Sequence, residues 1–388
     1  MSKRSGGSRT VGSFPTLYSK KILDLATEKT DILIIGGGIA GCIAAISLID
    51  TYRVTLVDKL PEPSERIGES LAPASQRILK QLDLLEGLEN QVGTLYRKSV
   101  GMQSYWGSDQ VHLVDDLRNP DGFVKNLDRQ AFEIYLRKVA ETRGVHCLWG
   151  SQLYSSSYEN SLWQVQLRAG ATSLSTATIS ASFVIDASGR QAHFAKSLGI
   201  KRQVEDKLIA CWVTLPNTRT NTMSTISASE NGWWYSAVIP NDKRVVAFHT
   251  DADLVAKNEL KTTASFLELA KENPAILSLL NEHENAISFK GTVAANSTKL
   301  EQVAGQRWVA LGDAALSFDP LSSQGMYNAM ASAMQLQTLL LQYGFTETLQ
   351  KIYTEQTERI WQHYLKHKSI FYQAETRWEI APFWLRRL

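Results

Sequence analysis

The chain has 388 residues, of which 44% are hydrophobic and 21% charged, and its formal net charge is +2. Such a composition is typical of a folded globular protein, and a charge so close to zero argues against a nucleic-acid-binding surface. No apolar run approaches the roughly 20 residues that span a bilayer, so we expect no membrane insertion.

The N-terminal residues 1–28 are basic and rich in serine and glycine, which predicts a flexible arm. They contain no apolar segment of the kind that a secretory signal needs, so we expect a cytoplasmic protein. The cysteines Cys42, Cys147 and Cys211 are odd in number and widely spaced. This spacing argues against a disulfide framework and against a zinc site, and we predict no metal site.

The first patterned element is a strand, glycine turn, helix and second strand within residues 30–59. Gly36, Gly38 and Gly41 form G-x-G-x-x-G, and Asp58 ends the second strand. In a dinucleotide-binding unit the first glycine allows a tight turn, the second lets the backbone approach a pyrophosphate, and the third packs helix on strand. The acid then binds a ribose hydroxyl. The unit therefore predicts a dinucleotide site, although FAD and NAD share this pattern.

Two arginines follow in segments that a simple NAD-dependent dehydrogenase does not have. Arg66 stands close to a Gly68-Glu69-Ser70 turn, and Arg129 begins a predicted helix in LDRQAFEIYLRK. We expect both side chains at the cofactor site. The alternative is that they form solvated ion pairs at the surface.

Two later segments each contain an apolar strand that ends in an acid. In FVIDASGRQAHFAK this acid is Asp186. In WVALGDAALSFDPLSSQGMYNAM it is Asp313, in Gly312-Asp313, and Pro320 and a helix that starts near Gly325 follow it. A helix start exposes unpaired N–H groups and a partial positive charge, so it can hold an anionic or electron-rich ligand. We therefore expect a bulky ligand against this helix.

With these segments in place, the sequence resembles the FAD-dependent monooxygenases of the p-hydroxybenzoate hydroxylase fold, and more closely their branch that contains the flavin-dependent tryptophan halogenases. The resemblance implies noncovalent FAD, with Arg129 near the pyrophosphate, Asp313 on the ribitol and the later helix start facing the pyrimidine side of the flavin. NAD(P)H or a separate reductase would supply electrons, and O2 would be the cosubstrate. The residues predicted to bind the cofactor are Gly36, Gly38, Gly41, Asp58, Lys59, Arg66, Ser70, Arg129, Asp186, Asp313, Pro320, Gly325 and Met326.

The sequence departs from the tryptophan halogenases at positions that those enzymes need. Their Asp-Pro-Leu-Glu-Ser stretch, whose Glu is catalytic, reads Asp-Pro-Leu-Ser-Ser here, so Ser322 replaces the Glu. Their essential Lys lies in a strand four residues before a Trp, and Met102 holds that position before Trp106. NGWWYSAVIP also departs from their Trp-x-Trp-x-Ile-Pro signature. We therefore expect oxygenation rather than halogenation.

Oxygen chemistry at a reduced flavin requires a dry pocket and correct placement of the substrate. The predicted lining is Trp233, Tyr235 and His249, in WWYSAVIP and KRVVAFHTD. Alternation in both segments predicts half-buried antiparallel strands. The alternative is that these side chains form one face of a sheet packed on the core.

The segments together predict an α/β fold in which a Rossmann-like FAD-binding domain is interleaved with a mainly antiparallel substrate domain, followed by a helical region. The predicted bounds are 29–95, 125–205 and 295–345 for the FAD-binding domain, 96–124 and 206–294 for the substrate domain, and 346–388 for the C-terminal helical region.

The C-terminal sequence AETRWEIAPFWLRRL is similar to the tail of halogenase-like flavoproteins encoded beside quinoprotein oxidases of the lysine ε-oxidase and glycine oxidase type. Those flavoproteins oxygenate a Trp side chain of the partner during cysteine tryptophylquinone formation. The tail is either a partner-binding surface or a segment docked on its own domain. The residues that carry the likeness are Glu375, Arg377, Trp378, Phe383, Trp384 and Arg386.

The resemblance implies an FAD-dependent monooxygenase that acts on an indole, with the precursor of a quinoprotein oxidase as protein substrate and a flavin reductase as a further partner. Within the same fold, the alternatives are a small-molecule aromatic hydroxylase, an isoprenoid-type reductase or a halogenase. An alternative of another class is a flavoprotein that assists assembly of the oxidase without oxidising it.

Overall fold

A computed structural model of the protein describes residues 28–170, 176–255 and 260–387, so only Glu28 of the predicted N-terminal arm lies within the described residues. In chain order the strands are β1 (Glu28–Ile35), β2 (Val54–Asp58), β3 (Ser70–Leu71), β4 (Tyr96–Ser99), β5 (Gly101–Tyr105), β6 (His112–Asp115), β7 (Val124–Leu127), β8 (His146–Trp149), β9 (Ser151–Glu159), β10 (Leu162–Ala169), β11 (Thr176–Asp186), β12 (Arg202–Val204), β13 (Leu208–Pro216), β14 (Ser224–Ser229), β15 (Gly232–Ile239), β16 (Lys243–Asp251), β17 (Ser288–Ala294), β18 (Thr298–Leu300), β19 (Ala304–Gly305), β20 (Trp308–Ala310) and β21 (Leu316–Ser317). The helices are α1 (Ile39–Leu48), α2 (Ser75–Gln81), α3 (Leu85–Glu89), α4 (Arg129–Thr142), α5 (His193–Ser197), α6 (Thr263–Ala270), α7 (Pro274–Leu280), α8 (Gly325–Tyr343), α9 (Glu347–Gln373) and α10 (Pro382–Leu385).

The first sheet has a parallel centre in the order β8, β2, β1, β11, β20. Helix α1 packs beside it and contacts both α4 and α8. Because parallel strands are covered on both faces, their sequences are continuous apolar runs, as in Ile32, Leu33 and Ile34, which have no exposed surface. The strands β1 and β2 and the helix between them place the glycine turn at the carboxyl end of the sheet, where ligands bind in open parallel sheets.

The second sheet has the order β17, β13, β16, β15, β14, β5, β6, and each of its pairs is antiparallel except β14 with β5. Side chains alternate between its two faces. Trp234 and Phe248 belong to one face, which packs on α6 and α7 with Phe266 and Ile276. The opposite face includes Trp233 and its partner across the ladder, His249.

Helix α9 connects the two sheets. In the first half of the helix, Tyr353 donates a hydrogen bond to the carbonyl oxygen of Ala310 in the first sheet, at 2.7 Å. At its end Tyr372 accepts one from Trp233 Nε1 in the second sheet, at 3.2 Å. The helix has 27 residues and is therefore about 40 Å long, which suffices to reach from one sheet to the other.

The tail after α9 is docked on its own chain. Phe383 and Trp384 have 0% and 1% of their surface exposed, and Trp384 Nε1 donates to the carbonyl oxygen of Ser229 at 3.0 Å. The buried Glu375 accepts a hydrogen bond from the amide of Gly107 at 2.8 Å. The interpretation of the tail as an exposed partner surface is therefore wrong for Phe383, Trp384 and Glu375, because the two aromatic side chains complete the core of the second sheet and the buried carboxylate binds the backbone of Gly107.

The predicted fold class is confirmed, since a Rossmann-like sheet is interleaved in sequence with a mainly antiparallel sheet and followed by a helical C-terminal region. The exact domain bounds stay a prediction. Among the described helices, none combines the length and the apolar character that crossing a membrane would need.

Candidate functional site

A cavity of about 710 Å³ lies where the starts of α1 and α8 meet the inner face of the second sheet. Its volume falls in the range of ligand-binding clefts, about 300–1,000 Å³. Gly41 and Asp186 are the predicted site residues that do not line it. The predicted residues that do are Gly36, Gly38, Asp58, Lys59, Arg66, Ser70, Arg129, Trp233, Tyr235, His249, Asp313, Pro320, Gly325 and Met326.

The glycine turn before α1 leaves space for a ligand at one position. Gly36 has a φ of +115°, and a Cβ there would lie 2.3 Å from the carbonyl oxygen of Ala187. A Cβ on Gly41 would lie 1.8 Å from the carbonyl oxygen of Gly36, so this glycine lets the helix approach the strand. Gly38 has no atom within 4 Å of its Cβ position, no side chain caps α1, and its first turn has no acid. The open helix start fits a pyrophosphate.

The carboxylate of Asp58 is held in place from three sides. It accepts hydrogen bonds from the amides of Gly37 and Leu60, each at 2.7 Å, and pairs with Arg137 at 3.2 Å. Arg137 also donates to the carbonyl oxygen of Gly37 at 3.0 Å. Sequence reasoning missed Arg137, although it lies eight residues after Arg129 in α4, about 80° further around the helix.

Arg129 lies at the start of α4, as predicted, and is only 14% exposed. Its guanidinium donates to the carbonyl oxygen of Gly68 at 2.7 Å and to the buried Glu133 at 2.8 Å. Arg66 lies 3.6 Å from the other oxygen of Glu133 and is 42% exposed. The alternative of a solvated ion pair therefore fails for Arg129, whose buried Nε has no hydrogen-bond partner among the described residues.

Asp186 has a structural position instead of the expected one at the cofactor. Its buried carboxylate accepts hydrogen bonds from the amide and hydroxyl of Ser188, at 3.1 and 2.5 Å, and from the amide of Ala195 at 2.9 Å. These bonds occupy both oxygens and fix the turn that brings Arg190 to the cavity wall. The correction has a simple cause: a strand-terminal acid can hold its own loop as well as bind a ligand.

Asp313 lines the cavity with its side chain 42% exposed, 3.8 Å from Arg190. Behind it, Arg202 donates to the carbonyl oxygens of Asp313 and Ala314, each at 2.9 Å. Burial lowers the pKa of Arg202 to about 10. Two arginines that no motif marked therefore hold the loop of Asp313.

The start of α8 is a second open helix terminus at the same cavity. Gln324 provides no side-chain cap, and the first turn contains no acid. The buried Asp319 shapes the preceding turn by accepting from the amide of Leu321 at 2.9 Å and from Tyr372 Oη at 2.7 Å. Burial raises the pKa of Asp319. Because Asp319 is engaged with its own loop, it leaves the helix N–H groups free for a ligand.

The residues present fit FAD. Two uncapped helix starts suit its anionic diphosphate and the electron-rich edge of its ring, and the fixed acid Asp58 suits a ribose. The buried Nε of Arg129 supplies one more donor without a protein partner. Among residues 28–170, 176–255 and 260–387, no cluster of acidic, His and Cys side chains has the composition to hold a metal ion.

The far wall of the cavity is aromatic. Trp233 and His249 stack with ring centroids 3.6 Å apart and an interplanar angle of 5°. Both are nearly fully buried, at 1% and 3% exposure, so the alternative of a packed sheet face is correct in part. Burial lowers the pKa of His249 to about 3, which keeps its imidazole neutral. The stacked pair therefore forms an uncharged, rigid backing to this wall of the cavity.

Glu69 belongs to the cavity wall, whereas the sequence pattern indicates only its place in a turn. Its side chain is 3% exposed, and its Oε2 accepts from the amide of Gly68 at 3.0 Å. Burial raises the pKa of the carboxyl group. The signal that could have found it is an acid between a glycine and a serine, directly after the arginine segment.

Comparison with known proteins places this geometry in a family. Residues 29–364 match the FAD binding domain family. LodB of Marinomonas mediterranea, named as an FAD-dependent oxidoreductase, is 30% identical over 93% of this chain and 97% of its own length. The tryptophan 2-halogenase of Chondromyces crocatus is 25% identical over 92% of this chain and 70% of its own.

A solved structure extends the comparison to the fold. The peptidyl tryptophan dihydroxylase QhpG, described as essential for tryptophylquinone cofactor biogenesis, superposes with a TM-score of 0.75 at 20% identity. The match covers 92% of this chain and 78% of QhpG. At this identity the likeness is one of fold.

Proposed function

The chain belongs to the FAD-binding-domain family and is an FAD-dependent oxidoreductase, and from this premise we propose that it hydroxylates an aromatic ring, the indole of a Trp side chain in the precursor of a quinoprotein oxidase. The observation that carries the proposal is the common cavity. One side of the cavity has two open helix starts for FAD, and the other side has the aromatic wall of Trp233, Tyr235 and His249.

When bound, FAD would supply the oxygen chemistry, with NAD(P)H or a separate reductase as the electron source and O2 as the cosubstrate. The protein's own residues bind the cofactor, exclude water and orient the substrate. The start of α1 and Arg129 would hold the diphosphate, Asp58 a ribose hydroxyl, Asp313 the ribitol, and the start of α8 the flavin ring. The aromatic wall that contains Trp233 would then lie beside the indole.

One relative supports a protein substrate. QhpG acts on a peptidyl tryptophan according to its description, and it shares the fold over most of this chain. The match to LodB covers nearly the full length of both chains and supports the oxidoreductase part of the proposal. We therefore favour a Trp of a partner quinoprotein over a free aromatic metabolite.

Halogenation is the second candidate, and the 25% identity with a tryptophan 2-halogenase favours it. Two features of the chain weigh against it. Ser322, which replaces the halogenase Glu, ends a short turn at Pro320–Ser322, and Met102 on β5 stands where the halogenases have Lys. Among the described residues that line the cavity, Lys59 is the one lysine, and it follows β2 near the glycine turn.

A reconstitution with isotopically labelled O2 tests the proposal. Purified protein, reduced flavin and the oxidase precursor should yield label in one Trp of the precursor, because the oxygen derives from O2. The Gly38→Val protein is the control, since it keeps the aromatic wall and loses cofactor space. Label in no Trp, together with normal flavin reoxidation, would reject hydroxylation of the partner and leave the assembly factor as the alternative.

A further inference from the structure

Strand β17 forms one edge of the second sheet, and its carboxyl-terminal end reaches the cavity. Thr292, Val293 and Ala294 are exposed, and the last two of them line the cavity. Among the described residues, β13 is the one strand that pairs with β17. An edge of this kind presents unpaired N–H and C=O groups, which can bind an extended segment of another chain.

The hydrogen bonds to β13 determine which backbone groups of β17 point outward. The amide of Ala295 donates to the carbonyl oxygen of Leu208 at 3.0 Å. Hydrogen-bonded and non-hydrogen-bonded pairs alternate along an antiparallel ladder, so Val293 also bonds to β13. The N–H and C=O groups of Thr292 and Ala294 therefore point away from β13, towards the free edge.

This edge lacks the charges and prolines that commonly keep exposed strands from pairing. Residues 291–294 contain neither, and Lys290, the one charged residue of β17, binds Glu65 at 2.9 Å. The other edge strand of the sheet, β6, ends in the exposed Asp115 and is followed by Asp116. The contrast indicates that the end of β17 is available to a partner strand.

One row of side chains leads from this edge across the cavity wall. Val293, Ala210, His249 and Trp233 are successive partners on β17, β13, β16 and β15, and all four line the cavity. Neighbouring strands lie about 4.8 Å apart, so the row is ~14 Å long. Because Val293 and Ala210 are small, a large side chain opposite Val293 on an added strand would have room over this row.

A second cavity, of about 530 Å³, lies at the same edge on the opposite face of the sheet. Its lining is mostly apolar and includes Ile209, Phe289 and Thr292. Ile209 and Thr292 directly precede Ala210 and Val293, and neighbouring side chains of a strand point to opposite faces. An added strand would therefore direct alternate side chains into the two cavities, and such alternation gives strand addition its specificity.

We propose that a segment of the partner containing the target Trp adds to β17 as an eighth strand of the second sheet, with an adjacent apolar residue in the second cavity. The Trp would lie opposite Val293, and the outward groups of Thr292 and Ala294 would bind the backbone on either side of it. Its side chain would extend over Ala210 towards His249. The inference rests on the proposed function, which provides a protein substrate, and specifies how that substrate binds.

A second copy of this chain is a poorer occupant of the edge. Pairing β17 with the same strand of a copy would bring Thr292, Val293 and Ala294 to the cavity, and none of these side chains is large enough to reach His249. The copy would also cover the edge by which a protein substrate enters. A segment with Trp beside an apolar residue instead matches both cavities.

Hydrogen–deuterium exchange of the FAD-loaded protein tests the docking directly. Addition of the oxidase precursor should slow exchange of the outward amides of Thr292 and Ala294 by about tenfold or more, because these amides become hydrogen-bonded. Exchange in β6 should not change. Protection of β17 that needs no precursor and rises with protein concentration would assign the edge to a second copy and overturn the inference.

The variant Ala294→Pro removes one outward N–H group and no hydrogen bond to β13. It should weaken binding of the precursor by about tenfold, because one backbone hydrogen bond across the edge is lost. Titration calorimetry with the FAD-loaded protein measures the affinity. Wild-type affinity of this variant would overturn the inference.

Leu113→Pro is the matched control on the other edge strand. The amide of Asp116 donates to the carbonyl oxygen of Val100 at 3.4 Å, so the same alternation turns the N–H of Leu113 outward from β6. This variant should bind the precursor as the wild type does. Thermal unfolding checks that both proline variants are folded, and equal losses of affinity in the two would overturn the assignment to β17.

Two pentapeptides blocked at both ends, Thr-Val-Trp-Val-Thr and Thr-Thr-Trp-Thr-Thr, test the second cavity. They differ only beside the Trp, where Val and Thr have similar shapes and Thr adds a hydroxyl. The Val peptide should displace the precursor at an about fivefold lower concentration, because an apolar cavity favours Val and leaves the Thr hydroxyl unpaired. Equal potency, or no displacement by either peptide at millimolar concentration, would overturn the inference.

The mass of the precursor separates this inference from the proposed function. If its Trp gains oxygen while exchange in β17 is unchanged and Ala294→Pro binds normally, the docking on β17 is wrong and the hydroxylase stands. If the precursor gains no oxygen, the proposed function fails, and the inference that rests on it fails as well.

Discussion

Gly38 is the residue at which cofactor binding and folding can be separated. Its Cβ would meet no atom within 4 Å, and its φ of −84° suits any residue. Gly38→Val should therefore fold normally and fill the space for the diphosphate, lowering FAD affinity by on the order of 100-fold. Flavin absorbance and thermal unfolding of the purified protein measure the two effects.

Gly41→Ala provides the contrast at the same turn. Its Cβ would lie 1.8 Å from the carbonyl oxygen of Gly36, so helix α1 would have to shift on the strand. This variant should lose stability as well as flavin. A Gly38→Val protein that stays yellow would contradict the position of the diphosphate.

Ser322 and Met102 give a second prediction for single residues. Reduced flavin, O2, bromide and free tryptophan should yield no brominated product above the level that free peroxide gives, because neither side chain can replace the Glu and Lys of the halogenases. Mass spectrometry detects bromination through its isotope pattern. Enzyme-dependent bromotryptophan would instead favour the halogenase candidate.

The residues that sequence could predict are those whose role depends on local chain geometry. Gly36, Gly38 and Asp58 sit in a short motif and were found in this way. Arg137 was missed because its partner Asp58 lies 79 residues away in the chain, and Glu69 because the cavity wall to which it belongs is built from distant segments. Such contacts arise from tertiary packing, which no local pattern encodes.

Among the elements, the start of α8 is expected to stabilise negative charge on the reduced flavin. An acid in its first turn, as in Gly325→Asp, would offset the positive charge of the helix terminus and so weaken its stabilisation of the reduced flavin by about 1 kcal/mol. For a two-electron couple this lowers the flavin potential by on the order of 20 mV. Redox titration of the FAD-loaded variant measures the flavin potential.

Thr338→Glu serves as the control for that variant. It adds the same charge to an exposed position more than three turns further along α8, outside the cavity. Its flavin potential should match that of the wild type, since the helix-terminus effect fades beyond the first turn. Equal shifts in both variants would mean that net charge, not the helix start, sets the potential.

The tail is the second element with a measurable role. Trp384 is 1% exposed and packs with Phe383 and Tyr372. Trp384→Ala should lower the free energy of unfolding by about 3–5 kcal/mol, because it leaves a cavity in the core of the second sheet. Denaturant unfolding measures the loss.

The neighbouring Leu385 is 60% exposed and offers a matched control. Leu385→Ala should change the free energy of unfolding by no more than about 0.5 kcal/mol. Equal effects of the two substitutions would show that the tail does not pack as described.

Most elements follow from the sequence because their signals are local. The apolar runs of β1 and β2, the alternation of β15 and β16 and the start of α4 at Arg129 all match the expected positions. The pairing of β5 with β14 is different, since it joins segments more than 100 residues apart in parallel register. Nothing in the local pattern of either strand specifies that partner.

On the scale of the whole molecule, α9 and the tail join the cofactor side to the aromatic wall. Trp233 donates to Tyr372, and Tyr372 donates to Asp319 in the loop before α8, at 3.2 and 2.7 Å. Removing the chain after Glu375 should therefore weaken oxygen transfer more than FAD binding, because the aromatic wall loses its support while the glycine turn keeps its own. Flavin content and oxygen transfer of the truncated protein measure the two effects.

The central claim is that this flavoprotein oxygenates a Trp side chain of a partner. The most direct measurement is the mass of a neighbouring quinoprotein oxidase precursor expressed with and without this protein. We predict a gain of roughly 16 or 32 Da on one Trp when the protein is present, for one or two added oxygens. An unchanged precursor mass, or normal maturation of the partner without this protein, would contradict the claim.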